Sequence, residues 1–343
     1  MRKTIYILTV FILSGLSALP AGSGKHLTKA GTTAAQFLKI PVGSRAIGMG
    51  GAFVAVSNDA SAVYWNPSGL ALIRNNGYVS FVHTRWIADM QFNFVSAAIR
   101  AGDLGTFGAS FTSLSMADMK VRTEFEPEGT GEYFSAFDLA LGLSYARSLT
   151  ERFSIGFTAK YIRQQIWHMI ASSTAFDLGI LFKTDYDWLT LGLSISNFGP
   201  KMHYEGKDSF INYDFNPDEW GDNENIFANL QTDRWDLPLM FRFGLAAQII
   251  KTKTNKLITA IEARHPNDNT ESISLGAEYG FKHRFFLRAG YQSLFEKDSE
   301  KGLTAGIGFV YYLAPNLPLL LDYAYADWNR LINVHRFSIE FRF

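Results

Sequence analysis

His335-Arg336-Phe337-Ser338-Ile339-Glu340-Phe341-Arg342-Phe343 puts large apolar side chains at 337, 339, 341 and 343, with polar ones between them. Successive side chains of a strand point to opposite faces, so this segment reads as a strand with one apolar and one polar face. Chain ends ordinarily fray, and an exposed terminal aromatic is unusual in a soluble domain. A strand that finishes flush on Phe343 suits a closed membrane barrel, in which the last strand must seal against the first.

The same alternation runs back through the chain. Fourteen candidate strands fall near 76–83, 91–100, 104–116, 134–147, 153–166, 174–183, 188–197, 238–250, 256–264, 271–280, 284–294, 302–312, 317–326 and 334–343. In the clearest, Phe137, Leu139, Leu141, Leu143 and Tyr145 alternate with Asp138, Ala140, Gly142 and Ser144. The even-numbered connections are short, and the odd ones are mostly longer, above all 117–133 and 198–237. An up-and-down outer-membrane barrel sorts its loops in this way, with short periplasmic turns and long extracellular loops; a soluble sandwich has no reason to. Composition agrees: aromatics make up 15% of the chain while mean hydropathy is near zero, as an apolar exterior around a polar lumen averages out. The expected fold is therefore all-β, a 14-stranded antiparallel transmembrane β-barrel spanning 76–343.

The start of the chain reads as a secretory signal peptide over residues 1–22. Arg2 and Lys3 precede the mostly apolar run Ile5 to Leu16, and small residues place cleavage between 18 and 24. The apolar run is short for an anchor helix, which needs about 20 such residues. With later apolar runs interrupted by polar residues, a barrel is the remaining way to satisfy the backbone in lipid. The expected location is the bacterial outer membrane, with its lipid as partner. The chain lacks cysteine, which removes disulfides and thiol metal sites. Loss of Arg2 and Lys3 takes the basic count from 32 to 30 against 32 acidic residues, a net of −2, and nothing points to nucleic acid.

The inward phase of the strands mixes Gly142, Gly156, Gly179, Gly192, Gly244, Gly276, Gly290 and Gly306 with charges such as Asp138, Lys160, Asp177, Arg242, Glu262, Glu278, Arg288 and Asp322. Two readings are open. The glycines make room for another backbone in the lumen, or they relieve curvature as the sheet coils.

Residues 25–75 lack barrel alternation. Ser44-Arg45-Ala46, Gly48-Met49-Gly50-Gly51, Asn58-Asp59-Ala60-Ser61 and Trp65-Asn66-Pro67-Ser68-Gly69 follow one another there. Asn58 or Asp59 is placed to cap a short helix running to Trp65, and Pro67 forces the chain out of it. This reads as a compact coil-and-helix segment lodged in the barrel mouth. The segment resembles the PorV/PorQ family of outer-membrane proteins and, more distantly, the FadL-type transporters of long-chain fatty acids. The resemblance implies a barrel with an N-terminal hatch in the lumen, its motif carried by Ser44, Arg45, Gly48, Gly50, Gly51, Asn58, Asp59, Trp65, Asn66, Pro67 and Gly69. The terminal pattern of Phe337, Ile339, Phe341 and Phe343 resembles the signal by which outer-membrane barrels are recognised for insertion, which implies the barrel assembly machinery as a partner.

The sequence carries no catalytic signature. The glycine run lacks the Gly-Lys-Ser/Thr ending of a phosphate loop, and no Gly-x-Ser-x-Gly elbow occurs. No cofactor is expected, and the seven histidines show no metal spacing. Asp218 to Glu224 has oxygen ligands of the sort calcium takes but lacks EF-hand spacing. Loops as long as 198–237 are functional or disordered, and its interleaved aromatics argue for function, as a lid or docking surface. Trp86, Trp167, Trp188, Tyr312, Tyr323, Tyr325 and Trp328 read as interfacial girdle. Three roles stay open: a hatch-gated path for hydrophobic small molecules, slightly favoured by the sequence; a type IX secretion accessory that binds and shuttles exported cargo; and a structural envelope barrel.

Overall fold

The computed structural model describes residues 29–216, 218, 225–296, 299–314, 317–331 and 333–343; the expected signal peptide at 1–22 and most of 218–224 lie outside them. Fourteen strands form the barrel: β1 (Gly77–Arg85), β2 (Gln91–Arg100), β3 (Thr106–Ser115), β4 (Ala136–Ser148), β5 (Phe153–Ile166), β6 (Met169–Lys183), β7 (Leu189–Phe198), β8 (Met240–Lys251), β9 (Asn255–Pro266), β10 (Ser272–Phe281), β11 (Phe285–Leu294), β12 (Leu303–Ala314), β13 (Leu317–Ala326) and β14 (Val334–Arg342). Each pairs antiparallel with its sequence neighbours, and β14 pairs with β1 from Tyr78↔Arg342 to Thr84↔Arg336.

Closure is completed at the last residue. Phe343 exchanges backbone hydrogen bonds with Gly77, at 2.8 and 3.0 Å. Its ring lies over Gly77, where a Cβ would come within 2.5 Å of it. Phe337, Ile339 and Phe343 are exposed along β14, whereas Arg336, Ser338 and Glu340 are buried in the lumen. The same partition runs through β4, where Leu143 is 71% exposed beside the buried Gly142 and Ser144.

One connection differs from the sequence reading. The fifth loop, expected at about 167–173, is a two-residue hairpin of Trp167 and His168, and β6 starts five residues earlier than expected. The outward positions Ser172 and Thr174 are polar, so this part of β6 lacked the apolar face by which the other strands were recognised. The 198–237 loop is also partly structured. Glu205–Gly206 adds to the edge of β6, and Phe210–Tyr213 pairs with Ile226–Asn229. Met119–Lys120 and Tyr133–Phe134 form a similar ribbon in the other long loop.

Residues 33–73 occupy the lumen. Taking the long-loop side as extracellular, they enter at the extracellular rim, where Ala34 N–H donates to the Asp236 carbonyl at 2.9 Å and Thr33 Oγ1 to Asp268 Oδ2 at 2.7 Å. The chain then leads through the lumen to β1 at the periplasmic rim. It forms 3-10 turns Gln36–Lys39 and Pro67–Leu72 and two short helices, α1 (Ser44–Gly48) and α2 (Ala62–Trp65). These helices are too short to stand alone and depend on packing. Phe53, Ile47, Met49, Val63, Trp65 and Leu70 are essentially inaccessible to water.

Candidate functional site

The lumen glycines resolve in favour of close backbone approach. A Cβ on Gly276 or Gly290 would strike the Met49–Gly50 backbone, one on Gly306 would meet Gly48, and one on Gly192 would meet Val54 and Ala55. Gly156 and Gly179 face Pro67 with Ser68 and Asn66 respectively. Of the eight inward glycines noted in the sequence, Gly142 alone has wall side chains rather than hatch atoms as its nearest neighbours. Gly50, at φ 67°, is wedged between β10 and β11, so both its conformation and its space require glycine.

Wall side chains then hold the hatch by its backbone. Glu262 Oε2 accepts from the N–H groups of Phe53 and Val54, each at 2.8 Å. Thr304 Oγ1 accepts from Gly50 N–H at 3.0 Å, and Ser338 Oγ from Ser44 N–H at 2.8 Å. Asn66 Nδ2 donates to the carbonyls of Val54 in the hatch and Ile180 in the wall, at 2.8 and 3.0 Å. Its Oδ1 accepts from Ser68 N–H and Oγ, capping the Pro67–Leu72 turn. Trp65 Nε1 donates to the Val42 carbonyl at 3.0 Å. Gly69 packs on the Ser57 backbone.

Arg45 centres the charged part. Its Nε and Nη2 make a side-on fork to Glu278 at 2.8 and 3.0 Å, while Nη1 reaches Asn58 Oδ1 at 2.7 Å and Asp59 Oδ2 at 2.9 Å. Glu278 is shared with Arg288 at 2.8 Å, and Arg288 continues to Asp322 at 2.6 Å. Burial opposes the Arg45 charge, yet the Glu278 and Asp59 carboxylates outweigh it and hold the guanidinium above its ordinary pKa. At the extracellular rim, Lys39 Nζ binds both Asp268 oxygens at 2.8 and 2.9 Å.

The hatch-motif residues named from sequence therefore lie in one packed segment, with one correction. Neither Asn58 nor Asp59 caps a helix. α2 starts later, at Ala62, with Ser61 before it, because Asp59 Oδ1 accepts from Ser61 N–H and Oγ in a tight turn. Asn58 and the other Asp59 oxygen are taken by Arg45 instead. The wall partners Glu262, Glu278, Thr304 and Ser338 were not assigned from sequence; a charge or hydroxyl in the inward phase of a strand was their only mark. Among the described residues no cluster of His, Asp and Glu could hold a metal, and Glu219 to Glu224 of the acidic loop lies outside them.

A closed barrel, an apolar outer face and a lumen filled by the chain's own N-terminal segment define an outer-membrane β-barrel of the hatched, FadL-like kind. The model of a family described as type IX secretion system protein PorV matches residues 24–218, more than half of the chain, and the chain belongs to that family. Among solved structures, the Ralstonia pickettii toluene transporter TbuX is similar, with a TM-score of 0.55 at 12% identity over 88% of this chain and 98% of that one. A Pseudomonas aeruginosa FadL homologue gives 0.52 at 13% over 88% and 98%. The Pseudomonas putida toluene transporter TodX gives 0.51 at 13% over 88% and 96%. At such identities the likeness is one of fold. No curated protein matches the chain by sequence.

Proposed function

We propose that this barrel serves type IX protein export as a non-enzymatic docking component, with its extracellular loops as the cargo-binding surface and its hatch as a seal. The observation that carries this reading is the packing of the lumen. A cavity between the hatch and the wall of β2 to β5, lined by Phe37, Leu38, Tyr64, Phe94 and Lys160 among others, measures about 20 Å³. That holds about one water, far below the roughly 300–1,000 Å³ of small-molecule pockets. Large apolar side chains are also displayed on the two long loops, outside the lipid band. Phe215 is 76% and Phe227 70% exposed on the 198–237 loop, and Phe125 is 92% exposed on 117–133. Replacing 210–229 with a short linker in cells tests this. Exported proteins should accumulate in the periplasm while the barrel level is unchanged; normal export would refute the docking role.

The second reading, a hatch-gated path for hydrophobic small molecules, draws on the fold shared with the two toluene transporters. It requires residues 33–73 to move, because they fill the lumen. Loss of hydrophobic-compound uptake on Gly290→Val, with export intact, would favour it.

A further inference from the structure

Arg336, on the lumen face of β14 near its extracellular end, is 1% exposed, and its Nε and Nη2 have no hydrogen-bond partner. Among the described residues no carboxylate comes within 4.0 Å of its nitrogens. Nε and Nη2 form the side-on edge of the guanidinium, the fork that grips two oxygens of a carboxylate or phosphate. The Trp86 ring lies 5.5 Å from Cζ, which helps the cation through one face and leaves the edge unmet.

Other unpartnered groups surround it. Thr84, the register partner of Arg336 across the β1–β14 seam, has a buried hydroxyl without a partner. Trp328, read from sequence as girdle with Trp86, is instead buried with its ring packed on Trp86 at 5.0 Å, and its indole N–H has no partner. The buried Tyr64 hydroxyl of the hatch is also unpartnered and lies within the field of Arg336, Arg242 and Arg264. Arg242 and Arg264 face each other across β8 and β9, with Glu262 3.8 Å from each. Among Arg336, Arg242, Arg264 and Glu262 the formal charge is two positive, with Glu296 also in the field of Arg264. Glu262 Oε1 answers Arg242 and Arg264 at that distance, so the Arg336 edge and the Trp328 N–H are the buried donors of this group left without an acceptor, and buried donors are ordinarily satisfied.

We infer that the Arg336 edge, with the hydroxyls of Thr84 and Tyr64 and the Trp328 indole, forms an oxyanion-binding site at the extracellular end of the lumen. It would take a carboxylate or phosphate group bidentately, reached past the partly exposed Tyr64 and Trp86. The inference does not depend on whether the barrel docks cargo or passes small molecules.

The test uses the full barrel in non-ionic detergent and chloride buffer, titrated separately with sodium acetate and inorganic phosphate. Tryptophan fluorescence reports on Trp86 and Trp328, and the temperature of unfolding reports on stability. A saturable response to either anion is expected, weakened at least about tenfold in Arg336→Gln, as befits loss of a charged hydrogen-bond donor. Arg342→Gln, which removes an arginine already paired with Glu340 at the other end of the strand, should keep the response. Response to acetate alone identifies a carboxylate site, and response to phosphate alone a phosphate site. If Arg336→Gln fails to fold, Thr84→Val and Trp328→Phe should each weaken binding several-fold. No saturable response in the wild type up to physiological ionic strength would overturn the inference. So would a response unchanged by Arg336→Gln or by both milder variants.

Discussion

Glu278 shows how single residues hold this molecule together. It is buried, accepts from two arginines, and joins the hatch to the wall through Arg45. Removing one partner from such an arrangement leaves buried charge uncompensated. Glu278→Gln should therefore cost about 3–5 kcal/mol, read as a lower urea midpoint of the purified barrel, with new protease cleavage within 33–73. Gly290 tests packing in the same region. Gly290→Val drives a side chain into the Met49–Gly50 backbone and should expose the hatch to protease, while the outward Leu275→Val on the neighbouring strand should not. Equal protection in the two variants would contradict the close-packed lumen. At this scale sequence reading was partial. Arg45 and the glycines were visible as a motif, but the wall groups that hold the hatch lie more than 200 residues away: Glu278 for Arg45, Thr304 for Gly50, Glu262 for Phe53 and Val54, and Ser338 for Ser44. Pairing across that distance depends on strand order and register, which a single sequence does not display.

Among the elements, β14 and the entry segment of the hatch carry the testable interactions. β14 was legible almost to the residue, because lipid on one side and a polar lumen on the other impose strict alternation. The start of β6 was not, since above the lipid band its outward face need not be apolar. Removing Phe343 deletes the two closing hydrogen bonds to Gly77 and the ring that covers it. It should raise the unassembled fraction, seen as a band whose gel mobility no longer shifts on heating. At the rim, burial pushes the Asp268 carboxyl up, but hydrogen bonds from Lys39, Gln36 and Thr33 more than offset it and leave its pKa below the usual 3.8. A carboxylate with a depressed folded pKa contributes stability that is present above its unfolded pKa and lost as pH falls through the folded one. The 33–39 segment should keep its hydrogen-exchange protection at neutral pH and lose it only below the ordinary carboxylate range. Asp268→Asn should lose part of that protection already at pH 7. The short α2 was misjudged at its start because Asp59 has two local uses, a turn and an ion pair, and a cap is only the commonest of the roles open to such a residue.

As a whole the molecule is proposed to be a sealed barrel that acts by docking. The barrel and the presence of a lumen segment were legible because both follow from alternation, loop parity and a glycine-rich stretch without strand pattern. The state of the lumen was not, since an inward glycine marks space without saying what fills it. That is why the sequence leaned towards a small-molecule path and the filled lumen leans towards export. Native mass spectrometry of the protein extracted gently from its own outer membrane tests the claim most directly. A stoichiometric protein partner that is lost when 210–229 is replaced is expected, with no apolar adduct bound in the barrel. An apolar adduct of lipid or hydrocarbon size, displaced by Gly51→Trp and accompanied by no protein partner, would contradict it.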